Sequence, residues 1–277
     1  MRLSQRSAPR ARGANGPGDT DGVGRGTRVM MRRILITIEY DGGPFHGWQR
    51  QVNGRTVQQV LEEAAHQLTG QETLVQAAGR TDAGVHASGQ AAHLDVPEKF
   101  DAERVMAALN ALVGQQPVSV IAAREVPADF HARFSATGRR YLYRILPRRQ
   151  PPALDLGRVW HHKTALDTDA MQRAADMLIG RHDFTSFRAT HCQADSPVRT
   201  LDTLDVASAG AEIHIHAAAR SFLHHQVRNM VGTLALVGAG KWQPEQVAEA
   251  LAACDRSAAG PTAPPEGLYL TAVSYPI

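Results

Sequence analysis

The chain has 277 residues, of which 43% are hydrophobic and 21% are charged. This composition is typical of globular proteins and excludes a fully disordered, collagen-like or coiled-coil chain. The sequence has no apolar run near the length of about 20 residues that a membrane-spanning helix needs. Two cysteines, Cys192 and Cys254, are too few for a disulfide framework and favour a reducing, cytoplasmic setting. The length predicts about two domains.

The first 30 residues differ from the remainder. Residues 1–30 contain six arginines, two aspartates and no aromatic residue, and they contribute +4 to the formal net charge of +3, which leaves −1 for the rest. Because this segment is rich in Gly, Arg, Ser and Pro and has no apolar periodicity, it is predicted to be a disordered tail. A transit peptide, a nucleic-acid arm and a wrongly assigned start before Met30 or Met31 all fit this composition.

The next segment, residues 31–128, is predicted to form an N-terminal domain. A β-branched run predicts a strand over 34–40, and apolar side chains at 3.6-residue spacing predict a helix over 56–69, with Thr56 as its N-cap. Predicted elements then follow as strands over 73–79 and 88–95, a helix over 101–112 and a strand over 118–126. This β-α-β-β-α-β order is that of the ferredoxin-like motif.

The C-terminal domain, residues 129–277, is predicted to be a decorated copy of the first. Its predicted elements are strands over 138–146 and 158–163, a helix over 168–179, strands over 200–207 and 211–219, helices over 224–238 and 244–253, and a strand over 268–275. The predicted fold class is therefore α+β. We expect two ferredoxin-like halves that form antiparallel sheets, with helices on one face and a basic cleft between the halves.

A glycine-bounded loop carries the first candidate site. The segment Gly79-Arg80-Thr81-Asp82-Ala83-Gly84-Val85-His86 follows a predicted strand, and its glycines permit a tight turn or a close approach to a ligand. In an extended chain, Arg80 and Asp82 project from the same side. A neighbouring cation favours an ionised carboxylate, which suits a nucleophile or a base. The alternative is an Asp-x-x-Gly turn with a surface arginine.

A basic segment carries the second candidate site. Residues 131–154 contain six arginines and no acidic residue. On a strand, Arg139 and Tyr141 share one side, whereas Arg140 and Leu142 share the other. Arginine beside an aromatic ring predicts base stacking with phosphate contact, so Arg139 and Arg140 are candidate substrate-binding residues. The alternative is a basic sheet edge that deters aggregation.

The third candidate segment, Ser221–Gly232, enters the helix predicted over 224–238, with Ser221 as a candidate cap. Its apolar stripe leaves a group of polar side chains for solvent or a site: His225, Gln226, Arg228 and Asn229. The 13 histidines include adjacent pairs such as His224/His225, but the sequence has no Cys-x-x-Cys and no His-Glu-x-x-His motif. No metal site and no nucleotide-binding site is therefore predicted.

The segment Gly79–Ala87 resembles the signature of the tRNA pseudouridine synthase A family. The resemblance extends over about residues 32–277 in the family's order, and only the N-terminal tail departs from it. Further segments similar to the family are Phe45–Gln51, Phe134–Tyr141, Gly180–Phe184, His225–Gly232 and Ala259–Leu268.

The resemblance implies a cofactor-free isomerase that converts uridines 38, 39 and 40 in the anticodon arm of tRNA to pseudouridine. It also implies a homodimer with a basic cleft, and neither a membrane nor a small-molecule cofactor as partner. Residue by residue, Asp82 matches the family's catalytic aspartate, and Tyr141 matches the tyrosine packed against the target uracil. Arg80 matches the arginine that takes the place of the flipped base, and Arg228 matches an arginine paired with the aspartate.

The chemistry agrees with the absence of cofactor motifs from the sequence. Pseudouridine formation breaks the bond from uracil N1 to the sugar and makes one from C5, with no redox change. Asp82, with a reference pKa of about 3.9, could attack C1′, attack C6 or remove the 2′ proton, and Tyr141 could stack on the base and help to move the C5 proton. The competing classes are a non-catalytic RNA-binding protein, whose usual strand signature is missing from the sequence, and a metal-dependent nuclease, for which Asp202 and Asp205 are too few.

Overall fold

The structure is a computed structural model that describes residues 30–190 and 192–276. The prediction for the N-terminal tail therefore falls almost entirely outside the described residues. Among the described residues, no helix is long and apolar enough to cross a membrane.

The first half contains four strands and two helices. Their bounds are β1 (Met31–Tyr40), α1 (Val57–Thr69), β2 (Gln76–Ala77), β3 (His86–Pro97), α2 (Ala102–Val113) and β4 (Val118–Val126). The Thr56 hydroxyl caps α1 by accepting a hydrogen bond from the Gln59 amide at 3.3 Å. Gly70 ends the helix in the left-handed conformation, with φ of 76°. These local signals explain why the predicted helix closely matches α1.

The second half contains the remaining strands and helices. Their bounds are β5 (Gly138–Pro147), β6 (Trp160–His162), α3 (Thr168–Asp176), β7 (Gly180–Asp183), β8 (Val198–Ala209), β9 (Glu212–Ala219), α4 (Gln226–Gly238), α5 (Glu245–Ala252) and β10 (Leu268–Ser274). The helix predicted over 168–179 ends earlier, at Asp176, and the short strand β7 pairs with β8. Strand β7 was not predicted because its four residues show no strand periodicity of their own.

Within residues 30–190 and 192–276, the ten strands belong to one sheet. Its order is β4-β1-β3-β10-β5-β9-β8-β7, with β2 added to β3 and β6 added to β5. The last strand, β10, lies between the halves: it runs parallel to β3 and antiparallel to β5. A mostly antiparallel sheet with five α-helices confirms the predicted α+β class, but one continuous sheet replaces the separate sheets that we expected.

Two large hydrophobic cores pack on this sheet, and a smaller cluster that includes Leu35 and Val126 is separate from them. The first buries alternate residues of β1, among them Ile34, Ile36 and Ile38, against α1 and α2. The second buries Tyr143 and Ile145 of β5 against residues of α3 and α4. The side chain of Tyr141 contacts both cores, and this places it where the two halves meet.

Candidate active site

Asp82 lies on the loop between β2 and β3, and the preceding residue anchors that loop. The Thr81 carbonyl accepts a hydrogen bond from the Trp48 amide at 3.0 Å. The Thr81 hydroxyl lies 2.7 Å from the hydroxyl of Tyr40. Gly47 has φ of 85°, and a Cβ atom there would lie 2.6 Å from the Thr81 carbonyl oxygen. The close approach therefore requires glycine at this position. The loop is held firmly while the next side chain, Asp82, projects from it.

Three side chains from the second half surround the Asp82 carboxylate. Nη1 of Arg228 lies 2.9 Å from Oδ2, and Nε2 of His225 lies 3.3 Å from the same oxygen. Nε2 of His224 lies 3.2 Å from Oδ1. The carboxylate remains 23% exposed, so it is neither sealed in the core nor turned away from solvent. Arg228 therefore lies beside Asp82, as the resemblance implied.

These contacts set the charge of the site. Burial raises the pKa of Asp82, but the hydrogen bonds from His224 and Arg228 and the proximity of His225 outweigh it and hold the pKa below its usual value. The hydrogen bond to Asp82 raises the pKa of His224, whereas burial lowers the pKa of His225. Asp82 is therefore an anion at neutral pH, and His224 is the imidazole that more readily carries a proton.

The N-terminus of α4 presents both histidines. His225 is the N-cap residue, with φ of 63° and ψ of 2°, and the two rings lie 4.0 Å apart. A non-glycine residue in this left-handed region costs free energy that the surrounding structure must offset. The prediction that Ser221 caps the helix is wrong, because α4 begins after His225, four residues later. The Gln226 side chain accepts a hydrogen bond from the Leu223 amide at 2.9 Å within that turn.

Arg228 is held from both sides. Its Nε atom donates to the Ala263 carbonyl at 2.8 Å, while Nη1 reaches Asp82. The Ala263 amide in turn donates to the Arg228 carbonyl at 3.0 Å. At Gly232, one turn further along α4, a Cβ atom would lie 1.8 Å from the Pro261 carbonyl oxygen. The 261–263 segment and α4 are thus in close contact, and this fixes the direction of the guanidinium.

Tyr141 supplies an aromatic ring at the junction of the halves. Its ring meets Phe222 edge to face, with 5.2 Å between centroids. Burial, with additions from the charges of Tyr40 and Asp82, raises the pKa of Tyr141 above its usual range. The phenol therefore stays neutral at physiological pH, which suits packing against a base better than accepting a proton.

Arg80 is exposed on the Asp82 loop. The expectation that it provides the cation beside Asp82 is not met, because the described contacts of that carboxylate are with Arg228, His224 and His225. Two-residue spacing places side chains on one side only in an extended chain, and this segment is a loop.

Arg139 requires a correction. It is buried, with 9% exposed, and its guanidinium donates to the carbonyls of Arg220 at 2.5 Å and of Ala78 and Arg133, both at 2.9 Å. These bonds engage both terminal nitrogens of the guanidinium and leave little of the side chain accessible to an RNA phosphate. Arg139 instead fastens the Ala78 end of the Asp82 loop to β5.

Arg140 projects from the opposite face of β5 and is exposed, as the alternation predicts. The structure does not bring it to Asp82, and contact with substrate stays a prediction for this residue. Strand β5 is hydrogen-bonded to β10 on one side and β9 on the other. The alternative interpretation of a protective sheet edge is therefore wrong, since β5 is a central strand.

Sequence reasoning missed the contact of the two histidines with Asp82. The pair was noted at the start of α4, but nothing in the sequence joined it to Asp82. Ligand atoms of Asp82, His224 and His225 lie within 4.8 Å of one another, which is close enough to hold a metal ion. Arg228 opposes such binding, because its positive charge already contacts the same carboxylate.

Comparison with known proteins identifies the family of this chain. The family model described as tRNA pseudouridine synthase matches residues 36–135 and 174–276. A protein from Rhodospirillum rubrum named tRNA pseudouridine synthase A is 61% identical over 246 residues, which cover 89% of this chain and 88% of the relative. A protein of the same name from Paramagnetospirillum magneticum is 58% identical over 245 residues, covering 88% of this chain and 96% of the relative. The chain belongs to the tRNA pseudouridine synthase family.

Proposed function

We propose that this member of the family isomerises uridines 38, 39 and 40 in the anticodon arm of tRNA, with Asp82 as the catalytic nucleophile or base. The observation that carries the proposal is the Asp82 carboxylate, which is ionised, partly exposed and held by Arg228, His224 and His225. The three target positions rest on the resemblance of the sequence motifs to the family.

The reaction needs one group that acts at the sugar or at the base. The N1–C1′ bond breaks, the uracil turns, and a C5–C1′ bond forms, so the product is an isomer of the substrate. The low pKa of Asp82 supports attack on C1′ or C6, since a carboxylate must be ionised to act as a nucleophile. It also permits removal of the 2′ proton.

Tyr141 and Arg80 have complementary proposed roles around the target nucleotide. The base must leave its stack to reach Asp82, which costs a few kcal/mol. The exposed Arg80 side chain, two residues from Asp82, is suited to fill the gap that the flipped base leaves. The neutral, partly buried ring of Tyr141 is suited to pack against the uracil.

The strand order supports a ferredoxin-like description of both halves. In the first half, β2 joins the series β4-β1-β3, and in the second half the series is β10-β5-β9-β8. The first half has its first and third strands, β1 and β3, at its centre, as in the ferredoxin-like fold. The second half has the same order, with β5 and β9 at its centre, once the short strands β6 and β7 are treated as insertions. The position of Tyr141 between two cores supports a cleft there for RNA. Arg228 contacts Asp82, and the exposed Arg80 lies two residues from Asp82 on the same loop, so both supply basic groups near the carboxylate.

A homodimer and a cytoplasmic location complete the proposal. The dimer rests on the resemblance, and the location rests on a tRNA substrate together with cysteines that the structure shows unpaired. Analytical ultracentrifugation of the full chain tests the dimer, and a monomer at micromolar concentration would contradict it.

Tritium release from tRNA labelled at C5 of uridine tests the activity. We expect the wild type to release tritium with no added metal and Asp82→Asn to release none. Asparagine keeps the size of the side chain, so this variant is expected to bind tRNA as the wild type does. Sequencing of the product maps the modified positions. Undiminished release by Asp82→Asn would overturn the role of Asp82. If the wild type bound tRNA but released no tritium, the RNA-binding class would be favoured instead.

A further inference from the structure

The isomerisation requires two proton transfers that Asp82 does not by itself perform. Uridine has hydrogen on C5 and none on N1, whereas pseudouridine has hydrogen on N1 and none on C5. A proton must therefore reach N1 and another must leave C5. Both atoms are bonded to C1′ in turn, N1 before the uracil rotates and C5 after it. One group placed beside C1′ can therefore serve both transfers.

His224 has the placement that such a group needs. Its Nε2 atom lies 3.2 Å from Oδ1 of Asp82, and its side chain is 48% exposed. Oδ1 is also the less crowded oxygen, because Arg228 and His225 both contact Oδ2. A nucleotide whose C1′ contacts Oδ1 therefore has N1, and later C5, within reach of the imidazole.

The other groups of the site are less suited. The phenol of Tyr141 is partly buried and has a raised pKa, so it resists ionisation. His225 lies on the occupied side of the carboxylate, and burial lowers its pKa. Arg80 and Arg228 are guanidinium groups, which do not release protons in proteins.

We propose that His224 is a catalytic acid and base for this reaction, giving a proton to uracil N1 and then taking one from C5. This inference rests on the proposed function of Asp82. As the N1–C1′ bond breaks, its electron pair goes to N1, which takes the imidazolium proton. When C5 bonds to C1′ with the electron pair of the C5=C6 double bond, the C5 proton passes to the neutral imidazole and its electron pair restores C5=C6.

Proton and charge then return to their starting state. If Asp82 attacks C1′, its oxygen leaves with the electron pair of the O–C1′ bond when C5 attacks. His224 ends as an imidazolium beside a carboxylate, and no co-reactant is consumed. The same pair of transfers at N1 and C5 is required if Asp82 attacks C6 or removes the 2′ proton.

The charges around His224 predict how the reaction responds to pH. The charged or titratable neighbours of His224 are Asp82, on the loop before β3, and His225 and Arg228, on its own segment. The charge of Arg256 lowers the pKa of the neighbouring His225. The hydrogen bond to Asp82 raises the pKa of His224, so the imidazolium persists to higher pH than that of a free histidine. Activity should fall as the pH rises through this raised pKa, because the proton for N1 is then missing.

The test compares His224→Gln and His224→Arg with the wild type on a tRNA transcript that carries deuterium at C5 of uridine. His66→Gln, on the exposed side of α1, is the matched control. Arginine keeps a cation beside Asp82 but cannot exchange a proton at neutral pH. We expect kcat to fall by about a hundredfold in both His224 variants, with KM for tRNA within about twofold of the wild type. The alkaline fall in kcat should disappear, and the isotope effect should increase.

Five outcomes decide the inference and the function on which it rests. If His224→Arg kept the wild-type kcat, His224 would be only an ion-pair partner of Asp82, and the proposal would be overturned. The proposal would also be overturned if His224→Gln were slow but its kcat still fell at alkaline pH. Recovery of His224→Ala by added imidazole would support proton transfer, since a structural role is not restored by a diffusible base. If Asp82→Asn were fully active, the proposed function itself would fail. If the His224 variants were fully active and Asp82→Asn were inactive, the role of His224 would be refuted and the role of Asp82 would stand.

Discussion

Nη1 of Arg228 lies 2.9 Å from Oδ2 of Asp82, although the two residues are 146 positions apart in the sequence. Asp82 belongs to the loop before β3, and Arg228 belongs to α4 in the second half. The strand β10, paired with both β3 and β5, joins these halves into one sheet. The candidate active site therefore exists only when both halves are folded and joined.

Replacing Arg228 should change the pH dependence of the reaction. In the folded protein, Arg228 helps to hold the pKa of Asp82 below its usual value. Arg228→Gln removes that charge, so the pKa of Asp82 should rise. The acidic fall in kcat should then begin at a higher pH, because Asp82 must lose its proton to act. Single-turnover rates across pH 4.5–8 measure this shift, with the exposed Arg181→Gln on β7 as control. An unmoved acidic limb would contradict the assignment.

Arg139 should matter for stability more than a surface arginine does. Arg139→Lys loses the planar fork that serves the carbonyls of Ala78, Arg133 and Arg220, and leaves buried acceptors unpaired. We expect the free energy of unfolding to fall by about 2–3 kcal/mol. Arg140→Lys on the exposed face should change it by less than about 0.5 kcal/mol. Urea denaturation measures both, and equal effects would contradict the scaffold role of Arg139.

The contact between β3 and β10 should not tolerate a larger side chain at Gly89. A Cβ atom there would lie 2.1 Å from the Thr271 carbonyl oxygen, so the strands must move apart. Gly89→Ala should lower the free energy of unfolding by about 1–3 kcal/mol. At Gly138 the nearest atoms are the Ser274 side chain at 3.7 Å, and Gly138→Ala is the matched control. Thermal denaturation distinguishes the two, and a wild-type melting temperature in Gly89→Ala would argue against so close a junction.

Substitutions at Tyr141 should separate the ring from the hydroxyl. Because burial keeps the phenol neutral, the ring is expected to act by packing. Tyr141→Phe should therefore keep kcat within about tenfold of the wild type, a loss that corresponds to about 1.4 kcal/mol. Tyr141→Leu should lose considerably more. Rates of pseudouridine formation under single turnover check this order. Equal losses in the two variants would show that the hydroxyl is required.

The sequence by itself determined the local elements and the chemistry-bearing loop. The Thr56 and Gly70 caps define α1 within a few residues, and the strand predicted over 118–126 coincides with β4. Such features depend on neighbouring residues and can be recognised without the rest of the chain. The motif around Asp82 likewise carried the resemblance to the family before any fold was known.

Only the tertiary structure decided what surrounds that loop. Period-2 alternation correctly placed Arg139 and Tyr141 on one side of a strand, but it did not say that this side was buried or that carbonyls would occupy the guanidinium. Nor did the sequence place His224 and His225 beside Asp82, or insert β10 between β3 and β5. These relationships join distant segments, and they form only because packing of the whole sheet brings those segments together.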